Sequence, residues 1–532
     1  MMIRNLVKIS IAILFISSCA NRGNPSGGEI DVDPPKIVKS SPENFSTNFN
    51  SESIEIVFDE FIKIRKLENE LIISPPIDPT PQISPVGSAN KVLSITKMDS
   101  LLENTTYSFN FGESIEDNNE GNKLSDFRYV FSTGKFIDSL YIKGNISDAF
   151  EREVSENINV LLFEIDSTFS DSIIYYTKPK YVAKVVDSTY NYRLQNLKAG
   201  NYLIIALEEE NKDYIFQPES DKIGFFNKYL VLPKDSLIDL KVFREKVANK
   251  ISRPRQISLN SFIIGNEGSE NLKIKLIEPR ENQIITRTTK DIKSDSLIYW
   301  FRTNNEIDSL KLAITNQYVS DTFNLKIFKK KRDSLVIKPN PTNVIKFYED
   351  FSLLINTPIS SIDKNKIVII DKDSTATDYV LKLDSINNKI DFLFEKTQNE
   401  NYILNFLPGS IEDIFENKND SLSFKLKTKT FDDYGNLFLK IIGENSAKII
   451  QLVNSDNKIK YEKITDFENQ LSFENIEPGK YYIRVIFDKN NNRKYDTGNF
   501  LNRIMPERVT YFPEIIDIRA GWDLVQEFIL NE

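Results

Sequence analysis

Histidine is absent from this chain of 532 residues, and cysteine occurs once, as Cys19. Without an imidazole group, Ser-His-Asp and Cys-His catalysis, HExxH proteases and histidine-ligated metal centres are excluded. A single cysteine excludes an internal disulfide and every thiolate cluster. The chemistry open to the chain is therefore limited to carboxylate, hydroxyl, lysine and tyrosine groups.

The chain also has few glycines and prolines and no excess of basic residues. Its 18 glycines and 21 prolines are too few for a collagen-like or linker-dominated chain. The 68 basic and 77 acidic side chains give a net charge of −9, so we expect no nucleic-acid partner. A hydrophobic content of 40% indicates folded domains, and the length predicts about three to five of them.

Sequence motifs of the common enzyme classes are missing as well. No nucleophile elbow (G-x-S-x-G), dinucleotide-binding loop (G-x-G-x-x-G) or Walker loop occurs in the sequence. Neighbouring carboxylates such as Asp59-Glu60 and Glu116-Asp117 do not make a glycosidase pair, because consecutive strand residues point to opposite faces. The sequence therefore predicts a protein that is not an enzyme.

The amino terminus has the pattern of a secretion signal. Arg4 and Lys8 form a positive region, and residues 9–16 form an apolar run too short to span a membrane. The run ends in Ile16-Ser17-Ser18-Cys19, which resembles a bacterial lipobox. The resemblance implies a lipoprotein signal peptide over residues 1–18 and a lipid attached to Cys19. The alternative is an ordinary signal peptide with a chance cysteine at its cleavage site.

The residues after Cys19 bear on the location of the protein. Ala20 stands where an aspartate would indicate retention in the inner membrane, so resemblance to Gram-negative lipoproteins implies the outer membrane. No acidic cluster follows the cysteine, which favours the periplasmic side over the cell surface. Residues 19–33 are polar and rich in glycine, and we expect a flexible tether there.

Strict alternation of apolar and polar residues dominates the rest of the chain. The segments 107–111 (YSFNF) and 422–426 (LSFKL) are examples, and clusters of Asn, Asp, Gly and Ser separate such segments. This pattern is typical of half-buried antiparallel strands joined by turns. Because no long segment has a helical period, the sequence predicts an all-β protein.

Two internal repeats divide the chain into modules. The motif SIED at residues 114–117 recurs at 410–413, and NLKAGNY at 196–202 recurs as NIEPGKY at 475–481. The order of these motifs predicts two copies of a pair of modules around an unrelated segment. We name these module A (34–134), module B (139–246), a β-rich middle module of unassigned type (250–336), module A′ (340–431) and module B′ (434–532).

Two of these modules resemble known domain families. Module A is similar to bacterial Ig-like domains of the SbsA type, through its opening Asp33-Pro34-Pro35 and the strand at 54–58 followed by Asp59-Glu60-Phe61. Module A′ has lost the Asp-Pro-Pro opening. Module B resembles prealbumin-like and carboxypeptidase-regulatory-like sandwiches in its segment 196–202. These resemblances imply a tandem array of β-sandwich modules and no reaction.

One loop of module B′ has the spacing of a calcium site. Oxygen-bearing side chains occupy the first, third, fifth and ninth positions, where they can converge on a cation: Asp488, Asn490, Asn492 and Asp496. The pattern departs from an EF-hand because Arg493 replaces the glycine and Asn499 the final glutamate. The alternative is a hairpin loop whose side chains cap their own backbone. In module B the corresponding loop, 209–213, lacks the alternation.

The leading hypothesis is a non-catalytic lipoprotein of the cell envelope, built as a string of separate, semi-rigid β-sandwich modules that scaffold or bind other components. We expect a monomer without a cofactor, in contact with the membrane through its lipid and with an unidentified envelope protein or glycan. A second hypothesis is an outward-facing adhesin that binds carbohydrate or calcium. A third, a glycan hydrolase, needs an acidic cleft in residues 250–336. Trp300 and Trp522 are predicted to be core residues.

Overall fold

The computed structural model describes residues 31–98, 101–155, 157–185, 189–246, 250–267, 272–279, 284–291, 294, 296–316 and 320–530. Strands account for 49% of the chain and helices for 3%, which confirms the all-β prediction. Among the described residues, every strand pairs with strands of its own module. Cys19, the signal peptide and most of the predicted tether lie outside the described residues.

Module A is a sandwich of two antiparallel sheets, whose inward-facing aromatic side chains form the core. Its elements are β1 (Ile37–Ser41), β2 (Ser53–Ile64), α1 (Leu67–Glu70), β3 (Ile72–Ser74), β4 (Gln82–Ser84), β5 (Asn90–Thr96), β6 (Thr106–Asn110), β7 (Ile115–Asp117) and β8 (Arg128–Ser132). One sheet has the order β1-β2-β5-β4, with β7 beside β2, and the other has the order β3-β6-β8.

Module B is also a two-sheet sandwich. Its elements are β9 (Leu140–Asp148), β10 (Ile158–Glu164), the 3₁₀ helix η1 (Asp171–Tyr175), β11 (Tyr181–Lys184), β12 (Asn191–Leu197), β13 (Gly200–Glu208), β14 (Lys222–Phe225), β15 (Leu230–Leu232) and β16 (Leu240–Val242). One sheet has the order β11-β10-β13-β14, with β15 beside β13. The other has the order β12-β9-β16, in which β16 runs parallel to β9.

The middle module contains a two-stranded, a four-stranded and a three-stranded sheet, ordered β17-β20, β18-β19-β23-β22 and β21-β24-β25. Their bounds are β17 (Lys250–Ile251), β18 (Arg255–Ser258), β19 (Ser261–Ile264), β20 (Asn266–Glu267), β21 (Lys273–Glu278), β22 (Ile285–Lys290), β23 (Leu297–Arg302), β24 (Ser309–Thr315) and β25 (Ser320–Lys326). Trp300 on β23 is buried as predicted, and its indole N–H donates to Thr289 at 2.8 Å.

Module A′ repeats the topology of module A. Its sheets have the orders β26-β27-β31-β30, β28-β33 and β29-β32-β34. The elements are β26 (Ile337–Asn340), β27 (Phe351–Ile355), β28 (Ile359–Ile362), η2 (Lys364–Lys366), β29 (Ile367–Ile370), β30 (Val380–Asp384), β31 (Lys389–Leu393), β32 (Asn401–Phe406), β33 (Ile411–Asp413) and β34 (Leu422–Lys427).

Module B′ repeats the topology of module B, including the parallel strand at its end. Its sheets have the orders β37-β36-β39-β40, with β41 beside β39, and β38-β35-β42. A short 3₁₀ helix, η3 (Phe431–Asp433), precedes the module. The elements of the module are β35 (Gly435–Ile442), β36 (Lys448–Val453), β37 (Ile459–Thr465), β38 (Gln470–Ile476), β39 (Gly479–Phe487), β40 (Val509–Tyr511), β41 (Ile516–Ile518) and β42 (Asp523–Ile529). Trp522, predicted to be a core residue, is 60% exposed because it lies in the surface turn before β42.

The repeated motifs make the same hydrogen bonds in both copies. In modules B and B′, the tyrosine hydroxyl donates to the carbonyl four residues earlier, from Tyr202 to Lys198 at 2.9 Å and from Tyr481 to Glu477 at 2.8 Å. In the SIED motifs, buried Asp117 and Asp413 accept hydrogen bonds from backbone N–H groups of the loops that follow them. The repeat prediction is confirmed, because the shared sequence encodes shared corners.

The modules are not separate, as the sequence analysis expected. Strand β13 is buried on both faces, so module B has two apolar clusters. The first fills the space between its own sheets. The second lies on the outer face of the β11-β10-β13-β14 sheet, and Ile72 of module A and Phe500 of module B′ are part of it. The expectation of separate modules is therefore wrong for modules A, B and B′, because module B needs its neighbours to cover this face.

Polar contacts also join the modules. Between modules A and B, the Val182 N–H donates to the hydroxyl of Ser74 at 3.0 Å. Between modules A′ and B′, Lys346 forms an ion pair with Glu477 at 2.5 Å. Between the middle module and module A′, the Arg302 guanidinium donates to a backbone carbonyl at 2.9 Å. Each of these polar contacts joins two modules that are adjacent in the sequence.

Candidate functional site

The candidate calcium loop begins directly after β39 and is organised by a buried carboxylate. Asp488 is only 2% exposed. Its Oδ1 accepts a hydrogen bond from the Asn492 N–H at 3.1 Å, and its Oδ2 accepts one from the Arg493 N–H at 2.7 Å. The carboxylate thus caps the turn that it begins, a role typical of aspartate in loops.

The other end of the loop is held in a similar way. The Asp496 carboxylate accepts from the side-chain amides of Asn490 and Asn492, at 2.5 and 2.6 Å. Glu507, which the sequence analysis missed, is buried and accepts from the backbone N–H groups of Lys489 and Asp496, at 2.8 and 3.0 Å. The structure therefore brings all four predicted residues together and adds a fifth.

These hydrogen bonds engage both carboxylate oxygens of Asp488 and one of Asp496, which a calcium ion would need as ligands. Among the described residues, no group of three or more His, Cys, Asp or Glu side chains is placed to hold a metal ion. The geometry fits a self-capped loop better than a coordination shell, and calcium binding at Asp488, Asn490, Asn492 and Asp496 stays a prediction.

Replacing the capping carboxylate separates the two interpretations. We expect Asp488→Ala to lower the free energy of unfolding by about 2 kcal/mol in calcium-free buffer, because two N–H groups lose their acceptor. Thermal melting in EGTA measures this, with the exposed Asp456→Ala as the control. An unchanged melting temperature in EGTA would contradict the capping role. A calcium-dependent rise in the wild type that Asp488→Ala abolishes would support the calcium site.

Module B has a capping carboxylate at the matching position. Glu209 is 4% exposed, and its Oε2 accepts from the Asp213 and Tyr214 N–H groups at 3.1 and 3.0 Å. These are the residues four and five positions later, as in the Asp488 loop. The other oxygen, Oε1, has no hydrogen-bond partner in the described structure, and burial raises the pKa of Glu209 to about 7. Capping, rather than metal ligation, is what the two copies share.

The segment after the candidate calcium loop docks on module B. The side chain of Phe500 is fully buried, and its ring centroid lies 5.4 Å from that of Phe225. The Phe500 N–H donates to the buried carboxylate of Glu245. Gly498 permits this approach, because a Cβ atom there would lie 2.6 Å from the Phe243 ring. The loop of module B′ therefore serves as an anchor between modules.

Two arginines of module B′ extend this contact to other residues of module B. Arg503 of module B′ forms an ion pair with Asp171 of module B at 2.5 Å. Arg484 of module B′ is buried, with its guanidinium carbon 4.1 Å from the centroid of the Phe150 ring of module B. A desolvated guanidinium on an aromatic face is a strong form of this interaction. We call the contact formed by these residues and by Phe500 the B–B′ interface.

The family model described as a bacterial Ig-like domain matches residues 31–133, which confirms the resemblance of module A. A second family model, described as an uncharacterized protein conserved in bacteria (DUF2141), matches residues 428–506. No curated protein matches the chain. In the described residues, no helix is both long enough and apolar enough to cross a membrane.

Several solved structures are similar to long parts of the chain at low identity. Surface layer protein SbsC, domains 1–6, is 11% identical over 91% of this chain and 67% of that one, with a TM-score of 0.16. The Bacillus anthracis TIE protein is 11% identical over 95% and 76%, with a TM-score of 0.14. The Escherichia coli adhesin FdeC is 7% identical over 69% and 99%, with a TM-score of 0.16. These TM-scores are too low to support an argument about function.

Proposed function

We propose that the chain is a non-catalytic lipoprotein of the cell envelope, a β-sandwich scaffold held at the periplasmic side of the outer membrane by an acylated Cys19. The observation that carries the scaffold role is the B–B′ interface. It joins modules at distant positions in the sequence, and its loop residues pack and cap instead of lining an open site. The bacterial Ig-like match over residues 31–133 supports the same role.

The anchor rests on the amino-terminal sequence. The single cysteine lies directly behind a short apolar run, as a lipobox requires. Each buried CH₂ group of an acyl chain contributes about 0.8 kcal/mol, so a terminus with several chains stays bound to the bilayer. The folded modules then begin a short distance from the membrane, because a tether of residues 19–33 separates them from the lipid.

Substituting the cysteine tests the anchor. We expect the wild-type chain to incorporate labelled palmitate and to fractionate with membranes, and Cys19→Ser to lose the label and appear in the soluble fraction. Ser17→Ala, which keeps a small residue in the lipobox, is the matched control and is expected to behave as the wild type. A Cys19→Ser chain that keeps both the label and the membrane association would contradict the lipid anchor.

Protease treatment of intact cells tests the side of the membrane. A periplasmic scaffold is protected until the outer membrane is permeabilised. Digestion in intact cells would instead support the outward-facing adhesin. Because this experiment uses the wild-type chain, its outcome is independent of the Cys19 variant.

A further inference from the structure

A cleft between modules A and B is lined by two arginines. Its volume is about 560 Å³, and Arg128 on β8 of module A and Arg193 on β12 of module B both line it. Phe45 and Tyr141 also line the cleft and are 58% and 40% exposed. The Arg193 guanidinium carbon lies 4.7 Å from the centroid of the Tyr141 ring. Volumes of about 300–1,000 Å³ are typical of sites for small molecules.

The two guanidinium groups are not engaged in ion pairs within the described structure. Neither forms an ion pair or a side-chain hydrogen bond with a described residue. Two carboxylates, those of Asp126 and Asp138, also line the cleft, and that of Asp138 accepts from the Thr106 hydroxyl at 2.8 Å. Burial lowers the pKa of Arg128, and the positive charge of Arg193 lowers it further, while the negative charge of Asp126 opposes this shift. Because neither carboxylate forms an ion pair with Arg128 or Arg193, both guanidinium groups can still bind an anion that enters the cleft.

The second half of the chain shows that the fold does not require these arginines. Matching the strand registers of modules A and A′ places Ser423 at the position of Arg128. Matching modules B and B′ places Ser472 at the position of Arg193, and Phe438 at that of Lys143, which pairs with Arg193. Modules A′ and B′ fold with serines at these two positions, so the arginine pair is a specific feature of the cleft between modules A and B.

The walls of the cleft are held in place by hydrogen bonds. The Asn44 side chain donates to the Arg128 carbonyl at 2.9 Å and accepts from the Val130 N–H at 2.8 Å. On the other side, the Asn196 side chain donates to the Asp138 carbonyl at 3.0 Å. Both arginines thus project from strands whose positions are fixed, and a site with fixed walls loses little entropy when a ligand binds.

We propose that this cleft binds an acidic sugar through its carboxylate or phosphate group. Guanidinium groups are well suited to planar, bidentate recognition of such oxyanions. The exposed rings of Phe45 and Tyr141 offer apolar surfaces to the sugar ring, and the Gln195 side chain in the wall can hydrogen-bond its hydroxyls. The inference goes beyond the scaffold role and does not depend on the lipid anchor.

Isothermal titration of the full chain with glucuronate, glucose 6-phosphate and glucose tests the proposal. We expect both acids to bind and glucose to bind weakly or not at all, with affinities for the acids that fall as salt is added. Arg128→Ser and Arg193→Ser are each expected to weaken binding of the acids by about tenfold or more. Acids that bind no more tightly than glucose, or variants that bind as the wild type does, would overturn the proposal.

The controls separate the site from general charge effects. Arg287→Ser removes an exposed positive charge from the middle module and is expected to leave binding unchanged. The two test variants are expected to melt as the wild type does, because each introduces the residue of the second copy. Inorganic phosphate that binds as tightly as glucose 6-phosphate would contradict the sugar part of the proposal.

Discussion

Replacing Phe500 by alanine is expected to separate module B′ from module B. The fully buried ring packs against Phe225 in the outer cluster of module B. Truncating a buried phenylalanine typically costs about 3–5 kcal/mol, and here the lost contacts lie between modules. We therefore expect a lower first transition in calorimetry and a larger radius of gyration in small-angle scattering, while each module keeps the core between its own sheets.

An exposed phenylalanine of the same module provides the control for this prediction. Phe467 is 65% exposed, so Phe467→Ala is expected to leave both the transition and the radius unchanged. A Phe500→Ala chain with the melting profile and radius of the wild type would show that the B–B′ interface does not hold the modules together.

The second prediction with a large effect is that Glu209 makes the stability of the folded chain depend on pH. Burial raises the pKa of this carboxyl from 4.5 to about 7 in the folded chain. Because the folded state binds the proton more tightly than the unfolded state, stability falls as the pH rises from about 4.5 to about 7. The shift corresponds to about 3 kcal/mol. Glu209→Gln keeps an oxygen for the two N–H groups but carries no charge. We therefore expect this variant to be more stable than the wild type at pH 8 by about 2–3 kcal/mol.

Urea unfolding between pH 4.5 and 8 measures this difference. The variant and the wild type are expected to converge near pH 4.5, where the carboxyl of the wild type is protonated in the folded chain. Glu210→Gln, at an exposed neighbouring position, is the control and is expected to keep the slope of the wild type. If Glu209→Gln and the wild type lose stability in parallel as the pH rises, the account of Glu209 is wrong.

The all-β architecture and the repeats could be predicted from sequence because they depend on local patterns. Alternating apolar residues fix the faces of a strand, and the motifs at 196–202 and 475–481 encode a corner that closes through short-range hydrogen bonds. Trp522 shows the limit of this reasoning. Its aromatic character favours the core, but a turn of the backbone places the ring at the surface.

The B–B′ interface could not be predicted from the sequence, although the residues of β13 give one indication of it. Residues 202–207 read YLIIAL without alternation, which is typical of a strand buried on both faces. That run indicates that something covers the outer face of module B, but it does not identify what. Phe500 lies in a loop almost three hundred residues further along the chain, and no local pattern connects two such distant segments.

The candidate calcium loop shows how one spacing allows two kinds of chemistry. Alternate oxygen-bearing side chains converge whether their partner is a cation or the N–H groups of their own loop. The spacing of Asp488 and Asp496 in the sequence predicts that their side chains lie close together. It could not show that Glu507 caps the same loop from a separate segment, because that contact depends on the fold.

Chemical crosslinking across the B–B′ interface tests most directly whether the modules are docked. Cys19 is the only cysteine, so a chain with Cys19→Ser, Glu151→Cys and Asn457→Cys carries two thiols at positions whose native side chains lie 2.9 Å apart, one on each module. A short bismaleimide is expected to join them within one chain in native buffer, and Phe500→Ala is expected to reduce the yield. Two thiols that react separately in the folded wild-type background would contradict the docked arrangement.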